Sequence, residues 1–392
     1  MRAPRLRHHA LGIGLLLLAA FEGALVWFVM PLPGSQRMRS VEIAYALHRW
    51  RWVVRGLAVV WMLGGLRAWG ASTGWRRWRA VAGVIAVGAL TYVTNFVLPA
   101  DVIFQQPEAI RMVPAAESGV AADRLVVGVR LGDEARAYPL QFIGYHHFVY
   151  DTIAGRPVLV TYCTVCRTGR VFDPVRDGAV ERFRLVGMNQ FNAMLEDRST
   201  GSWWRQANGE AVTGRLRGTA LTEIPSTQMT LGRWLALHPT SLVMRGDPRF
   251  AGAYAQDYAY ERGTSRSRLT GTDPRSWQEK SWVVGIVVGG AARAYDWNAL
   301  LRAGAINDTL GGTPVVLAVA SDSASFVAFE RPAAELALRV DGDSLRGPAT
   351  AWALSGIGPR DTLPALVASQ EFWHSWRTFH PGTTRYEVDS PP

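Results

Sequence analysis

Apolar positions in the first hundred residues come in long runs rather than at the spacing of a one-sided helix. Residues 11–30 are apolar except for Glu22, residues 80–98 carry no charge, and residues 52–69 are interrupted by Arg55 and Arg67. A hydrocarbon core roughly 30 Å thick needs about 20 such residues in helix, so the pattern predicts three membrane spans. Beyond residue 100 the runs shorten. Residues 125–129 and 135–139, on either side of Gly132-Asp133, read as a hairpin, and the β-branched run 157–162 leads to a returning strand near 170–172. Residues 282–295, 314–320 and 326–329 follow the same plan. Helices are predicted over 228–237 and 363–378, the latter with Asp361 and Thr362 as caps. Regular strand–helix alternation is missing, so the expected fold class is α+β and β-rich, behind an N-terminal helical membrane segment.

The plan repeats in register. At an offset of 157 residues, Val126-Val127-Gly128 lies over Val283-Val284-Gly285 and Ala135-Arg136-Ala137-Tyr138 over Ala292-Arg293-Ala294-Tyr295. Asp151-Thr152, Gly155 and Pro157 lie over Asp308-Thr309, Gly312 and Pro314, with about 14 identities in the 48 positions 125–172. Trp234 with His238-Pro239 returns as Trp376 with His380-Pro381. The sequence therefore predicts a membrane anchor over 1–100, a linker over 101–117, a first domain copy over 118–245, a linker over 246–274 and a degenerate second copy over 275–392.

Composition and charge change this picture in two respects. A hydrophobic share of 48 % beside 19 % charged residues supports a membrane segment. The formal net charge of +10 invites a nucleic-acid reading, but residues 1–100 hold 12 of the 42 basic and 2 of the 32 acidic residues. Thirty of each remain, which excludes a basic nucleic-acid-binding face on residues 101–392. Arg2, Arg5 and Arg7 precede the first span, and Arg76, Arg77 and Arg79 lie between the second and third, whereas Asp101 and Glu108 follow the third. By the positive-inside rule the N-terminus is cytoplasmic, although Arg37, Arg39, Arg49 and Arg51 in the first loop pull the other way. The expectation is a multi-pass protein of the cytoplasmic (inner) membrane, with the lipid bilayer as partner and its C-terminal region extracytoplasmic, in the periplasm. No small-x-small cleavage site follows the first span, so that span is expected to be retained. Trp27, Trp50, Trp52, Trp69, Trp75 and Trp78 near the span ends fit an aromatic belt. Lys280, the single lysine beside 41 arginines, reads as the codon usage of a GC-rich genome.

Candidate chemistry rests on the only two cysteines, Cys163 and Cys166. The second copy has Ala320 and Ser323 at their positions, and Ala303 and Gly304 where the first has His146 and His147. The scaffold does not need these four side chains, so chemistry, if any, belongs to the first copy, with the second as a partner or wall of the site. As a structural staple, a Cys-x-x-Cys ring closes too short a loop to stabilise much. The first reading is a soft metal site, copper most of all or open zinc, with Cys163, Cys166 and His146 or His147 as ligands and Met188 and Met194 as thioether candidates. The second is dithiol chemistry, with Cys163 and Cys166 as the catalytic pair, Arg167 and Arg170 lowering the thiol pKa, and a redox partner protein. Against it, Gly169 leads into a strand, whereas the thioredoxin arrangement needs a helix. The third is a binding or assembly module without chemistry. It would use residues 189–210, where Trp203-Trp204 and several amides either line a pocket or form a tryptophan-anchored hairpin with Asp197-Arg198 as a surface pair. Gly-x-Ser-x-Gly, His-Glu-x-x-His and a phosphate loop are all missing from the chain, which leaves hydrolase readings without a motif.

Several of these residues form an ordered series. Ala135-Arg136-Ala137-Tyr138-Pro139, His146 or His147, Asp151-Thr152, Gly155, Pro157 and Thr161-Tyr162-Cys163-x-x-Cys166 are followed by Asp197-Arg198, Ser202-Trp203-Trp204, Gln206, Gly209, Ala211, Trp234 and His238-Pro239. Over most of 120–245 the chain resembles a bacterial and archaeal family known as domain-of-unknown-function family 3179. The family tends to have Pro between its cysteines and Gly just after them, where this chain has Thr164-Val165 and Arg167. The resemblance implies a domain and assigns no activity, cofactor or catalytic residue.

Overall fold

A computed structural model describes residues 3–38, 40–70 and 74–387; Arg2 and Arg39 lie outside the described residues. The chain divides into two compact units. One contains the residues up to Gln105 together with Arg182–Arg205 and Glu210–Thr219; the other contains Gln106–Glu181, Gln206–Gly209 and the residues from Ala220 onward.

The first unit opens with three long helices, α1 (Ala3–Val29), α2 (Val41–Gly70) and α3 (Trp75–Phe96). Among the described residues, His9–Val29 and Trp75–Phe96 are long and apolar enough to cross a membrane. The middle helix does not meet that standard, because Glu42, Arg49, Arg51, Arg55 and Arg67 dilute it. Packing relieves part of this charge. Glu22 of α1 is fully buried and accepts from Arg55 of α2 at both oxygens, 2.8 Å from Nε and 3.1 Å from Nη2. From α3, Asn95 accepts from Arg55 at 2.7 Å, while Asn95 and Thr94 donate to Glu22 at 3.1 and 2.9 Å. The residues that interrupt two separate apolar runs are thus the two halves of one ion pair. A buried charge is tolerated when it is paired and its remaining lone pairs are hydrogen-bonded. Gly14 and Gly65 let the first two helices approach closely: a Cβ at Gly65 would lie 2.5 Å from the Leu11 nitrogen, and one at Gly14 2.7 Å from Met62 Cγ.

The same unit contains a four-stranded antiparallel sheet in the order Ala211–Thr213, Trp203–Arg205, Asn192–Asp197, Phe183–Asn189. Met194, Trp203 and Val212 form a core with Ala44, and Phe28, Val29 and Tyr45 pack on it, so the sheet sits on helix ends of α1 and α2. Residues 189–210 are therefore a hairpin rather than an open stacking platform. The expected surface pair Asp197-Arg198 is corrected: Asp197 is buried and organises the turn by accepting from the Thr200 and Gly201 amides and from Trp204 Nε1 at 2.7 Å.

In the second unit, strands Leu125–Leu131 and Glu134–Pro139 form the predicted hairpin. Thr227–Thr230 pairs antiparallel on one side, Leu242–Arg245 parallel on the other, and Arg111–Pro114 completes the edge. Further along, Trp282–Val288 and Ala291–Asp296 form a hairpin flanked antiparallel by Ala368–Phe372 and parallel by Thr384–Arg385. Individual contacts also correspond. Tyr138 donates to Asp151 at 2.6 Å and Tyr295 to Asp308 at 2.7 Å; Trp234 donates to Ser241 at 2.7 Å and Trp376 to Thr383 at 2.8 Å. Each hairpin carries its own apolar core, centred on Val127, Tyr138 and Val160 in one case and on Val284, Tyr295 and Leu317 in the other.

The helices here are shorter than their pattern predicts. Residues 228–230 belong to a strand, and the helix is Leu231–Leu237, capped by Thr230, which accepts from the Arg233 amide. Over 363–378 only Trp373–Phe379 is helical, Ala368–Phe372 pairs with Trp282–Val288, and Asp361 accepts from Trp352 instead of capping. In both places the sheet edge outbids local helix propensity, because unpaired strand groups would otherwise be buried.

Gly285 shows how tightly these layers close. A Cβ there would lie 2.2 Å from the Trp376 ring, which is itself buried and held at Nε1 by Thr383. Gly285→Ala is expected to destabilise the protein by about 1–3 kcal/mol, the usual range for an overpacked core, measured as a lower unfolding midpoint. An unchanged midpoint would mean that the ring has room to move.

Candidate functional site around the cysteine turn

Strand Arg156–Cys163 ends at the first cysteine, and Thr168–Phe172 returns beside it with Cys163 opposite Thr168. Between them the Cys166 amide donates to the Cys163 carbonyl at 3.2 Å, closing a β-turn. Both cysteines are fully buried, and the structure shows no disulfide between them. Arg167, just after the turn, has φ 58°, in the left-handed region that favours glycine. Its side chain compensates for that strain. Nε donates to Gln370 at 3.0 Å, the two Nη groups donate to the carbonyls of Tyr260 and Glu261, and the guanidinium lies 3.6 Å from the centre of the Trp282 ring. Gln206 fastens the hairpin by donating to Thr161 Oγ1 and the Thr168 carbonyl, each at 2.9 Å.

Residues of the second half close over the turn. The Phe372 amide donates to the Cys166 carbonyl at 2.9 Å; in counterpart, the Thr230 amide donates to Ser325 at 2.9 Å, in the turn that follows strand Thr313–Val319. Lys280 Nζ donates to the Val165 carbonyl at 2.7 Å and the Leu269 carbonyl at 2.6 Å, and lies 3.3 Å from His374 Nε2. His374 Nε2 also meets the Val165 carbonyl, at 3.1 Å. Among the described residues no carboxylate lies within 4.0 Å of Lys280 Nζ. Burial pulls its pKa down to about 8, and negative charge from Cys166, then Cys163, then Glu279 opposes that fall. Burial, and then the Lys280 charge, hold His374 down to about 3, so its imidazole is neutral at pH 7. Lys280 thus brings a cation, with no carboxylate within 4.0 Å among the described residues, onto the backbone of the turn that holds both thiols.

The structure distributes the sequence candidates unevenly. Cys163 and Cys166 share one turn. His146 is buried with Nε2 2.8 Å from Tyr254 Oη, and His147 is buried with Nδ1 3.0 Å from the Tyr145 carbonyl. Burial holds His147 down to about 4. Among the described residues no three His, Cys, Asp or Glu side chains form a group disposed to hold a metal ion, so the expected set of Cys163, Cys166 and His146 or His147 for copper or zinc finds no support in the geometry. His147 also has φ 64°, like Gly304 at φ 70°, and the amides of both bond the carbonyl four residues back. The glycine in the second half thus fits a left-handed helix end as well as it marks a lost ligand. Met194 is core filler beside Trp203. Arg170 is paired with Glu371 at 2.7 Å, whereas the Arg167 guanidinium bonds neutral oxygens of Gln370, Tyr260 and Glu261 and so keeps its charge beside the turn, as Lys280 does.

The residue that sequence reasoning missed is Lys280. Its signal was its rarity: in a chain that uses arginine 41 times, the one lysine occupies a position where a compact, strongly hydrated point charge does what a planar guanidinium does not.

A family described as protein of unknown function (DUF3179) matches residues 104–383, more than two thirds of the chain. The chain belongs to this family. The DUF3179 match runs across both halves of the second unit, so Lys280 and His374 fall within the family domain together with the cysteines. Arg167 has a left-handed backbone, and its side chain is anchored on Gln370. No match was found among curated proteins or among solved structures.

Proposed function

We propose that this protein is a multi-pass inner-membrane protein, spanned by α1, α2 and α3, whose tandem-duplicated domain lies outside the cytoplasm and performs thiol–disulfide exchange at Cys163 and Cys166. Two hairpins with the same flanking strands, and contacts that recur at constant offsets, support the duplication. The ion pair between Glu22 and Arg55 supports α2 as a span, because it removes much of the cost of its charge.

The observation that carries the chemical reading is Lys280 at the cysteine turn. Below about pH 8 its ammonium stabilises a thiolate, most strongly at Cys166. That thiolate attacks one sulfur of a partner's disulfide, and the partner's other sulfur leaves as a thiolate. The second cysteine, having lost its proton, attacks the mixed disulfide, so Cys163 and Cys166 become joined while the partner gains two electrons and takes up two protons. The turn permits this bond, since its ends lie within about 7 Å and a disulfide spans Cα separations of about 4.4–6.8 Å. The Leu269 carbonyl on Lys280 ties segment 266–275 to the lysine, beside a cavity of about 620 Å³ that Lys280 also lines. Both sulfurs are buried, so exchange requires their surroundings to open.

The test is a redox titration of the full-length protein in detergent, with the cysteines alkylated and read by mass spectrometry. An intramolecular disulfide with a potential between about −270 and −120 mV is expected, the range of dithiols that exchange. A pair that stays reduced under all poises, or a potential below about −300 mV, overturns the reading.

A further inference from the structure

The first unit contains a cavity of about 370 Å³ where the ends of α1, α2 and α3 meet the four-stranded sheet. Leu25, Val29 and Phe96 make its apolar side and His48, Arg51 and Arg184 its polar side. Most of the charge there is already compensated. Arg55 is held by Glu22, Arg184 lies 2.7 Å from Glu196 and 3.3 Å from Asp101, and His48 lies 3.1 Å from Glu196. Arg51 is the exception. It is half-buried, its side chain donates only to the His48 carbonyl, and among the described residues no carboxylate lies within 4.0 Å of it. Arg51 also stands where α2 turns apolar, next to Trp52, which is 70 % exposed. That is the level of a headgroup layer, where tryptophan settles and an arginine keeps its charge at the surface of the hydrocarbon.

We infer that this cavity binds the headgroup of an anionic phospholipid, with its phosphate on Arg51. Among the described residues Arg51 is the lining arginine with no carboxylate within 4.0 Å, so its fork of donors is the one open to two phosphate oxygens. A zwitterionic headgroup would bring a second cation toward Arg184 and His48. The volume suits a phosphate with its glycerol; acyl chains leave along apolar side chains that α1 and α3 expose, among them Leu16, Leu17 and Tyr92. The inference goes beyond the thiol chemistry and rests on the reading that these helices cross a bilayer.

The test uses the full chain in nanodiscs of phosphatidylglycerol and phosphatidylcholine in equal amounts, with retained lipid counted by native mass spectrometry. The wild type is expected to keep phosphatidylglycerol over phosphatidylcholine by about tenfold, the ratio that one charge-assisted contact supplies. Arg51→Gln is expected to lose the preference with an unchanged thermal transition, Arg51→Lys to keep part of it, and Arg76→Gln, at an exposed arginine, to keep all of it. Equal retention by wild type and Arg51→Gln overturns the site. Displacement of the lipid by millimolar inorganic phosphate overturns the lipid as its occupant, leaving a site for free anions. Release of the chain from membranes by alkaline carbonate overturns the bilayer reading beneath it, a failure distinct from insertion without lipid preference.

Discussion

Arg55→Met is expected to destabilise the helical unit by about 3–5 kcal/mol, the usual cost of leaving one member of a buried ion pair uncompensated. Glu22 would keep its carboxylate, fully buried, with only Asn95 and Thr94 to satisfy it. The double replacement Glu22→Met with Arg55→Met is expected to recover most of the loss, since two apolar side chains of similar volume carry no unpaired charge into the bundle. Thermal unfolding of the purified chain in lipid nanodiscs measures both. A single variant that costs under about 1 kcal/mol would show that the pair is solvated, in the manner of a surface ion pair.

The second large effect is expected from Lys280→Met. Without the ammonium the thiolate loses one of the cations at its turn, so the dithiol potential should fall by at least about 30 mV, the equivalent of a tenfold change in the exchange equilibrium. The difference from wild type should shrink above pH 8, where Lys280 itself loses its proton. Stability should respond in the opposite sense. The Lys280 pKa is about 8 in the fold, against an ordinary value of 10.5, so between these values the unfolded chain binds more protons than the native one. Wild-type stability should therefore rise with pH across that window by about 3 kcal/mol relative to Lys280→Met, as followed by denaturant midpoints at pH 7, 8.5 and 10. A potential that does not respond to the substitution would remove Lys280 from the chemistry. A flat stability difference would mean that its ammonium is well solvated.

Much of the architecture was legible along the chain because it depends on local pattern. The apolar runs at 11–30 and 80–98 became α1 and α3, and the alternating segments on either side of Gly132-Asp133 and Gly289-Gly290 became hairpins. The helices over 228–237 and 363–378 were drawn too long because the competing partner, a sheet edge, is distant in sequence. Glu22 and Arg55 looked like defects for the same reason: 33 residues separate them, and only packing makes them a pair.

For the candidate site, the sequence by itself placed Cys163 and Cys166 in one short link between two strands; the structure narrows that link to the four residues 164–167. The sequence also predicted a turn without sulfur at Ala320 and Ser323, and there the Ser323 amide donates to the Ala320 carbonyl at 3.0 Å. Only the tertiary structure decided what surrounds the sulfurs. It directed His146 and His147 to Tyr254 and Tyr145, and brought Lys280 and His374 from more than a hundred residues away onto the Val165 carbonyl. Turn geometry follows from a few adjacent dihedral angles, whereas the electrostatic surroundings of a thiol are the sum of whatever the fold packs against it.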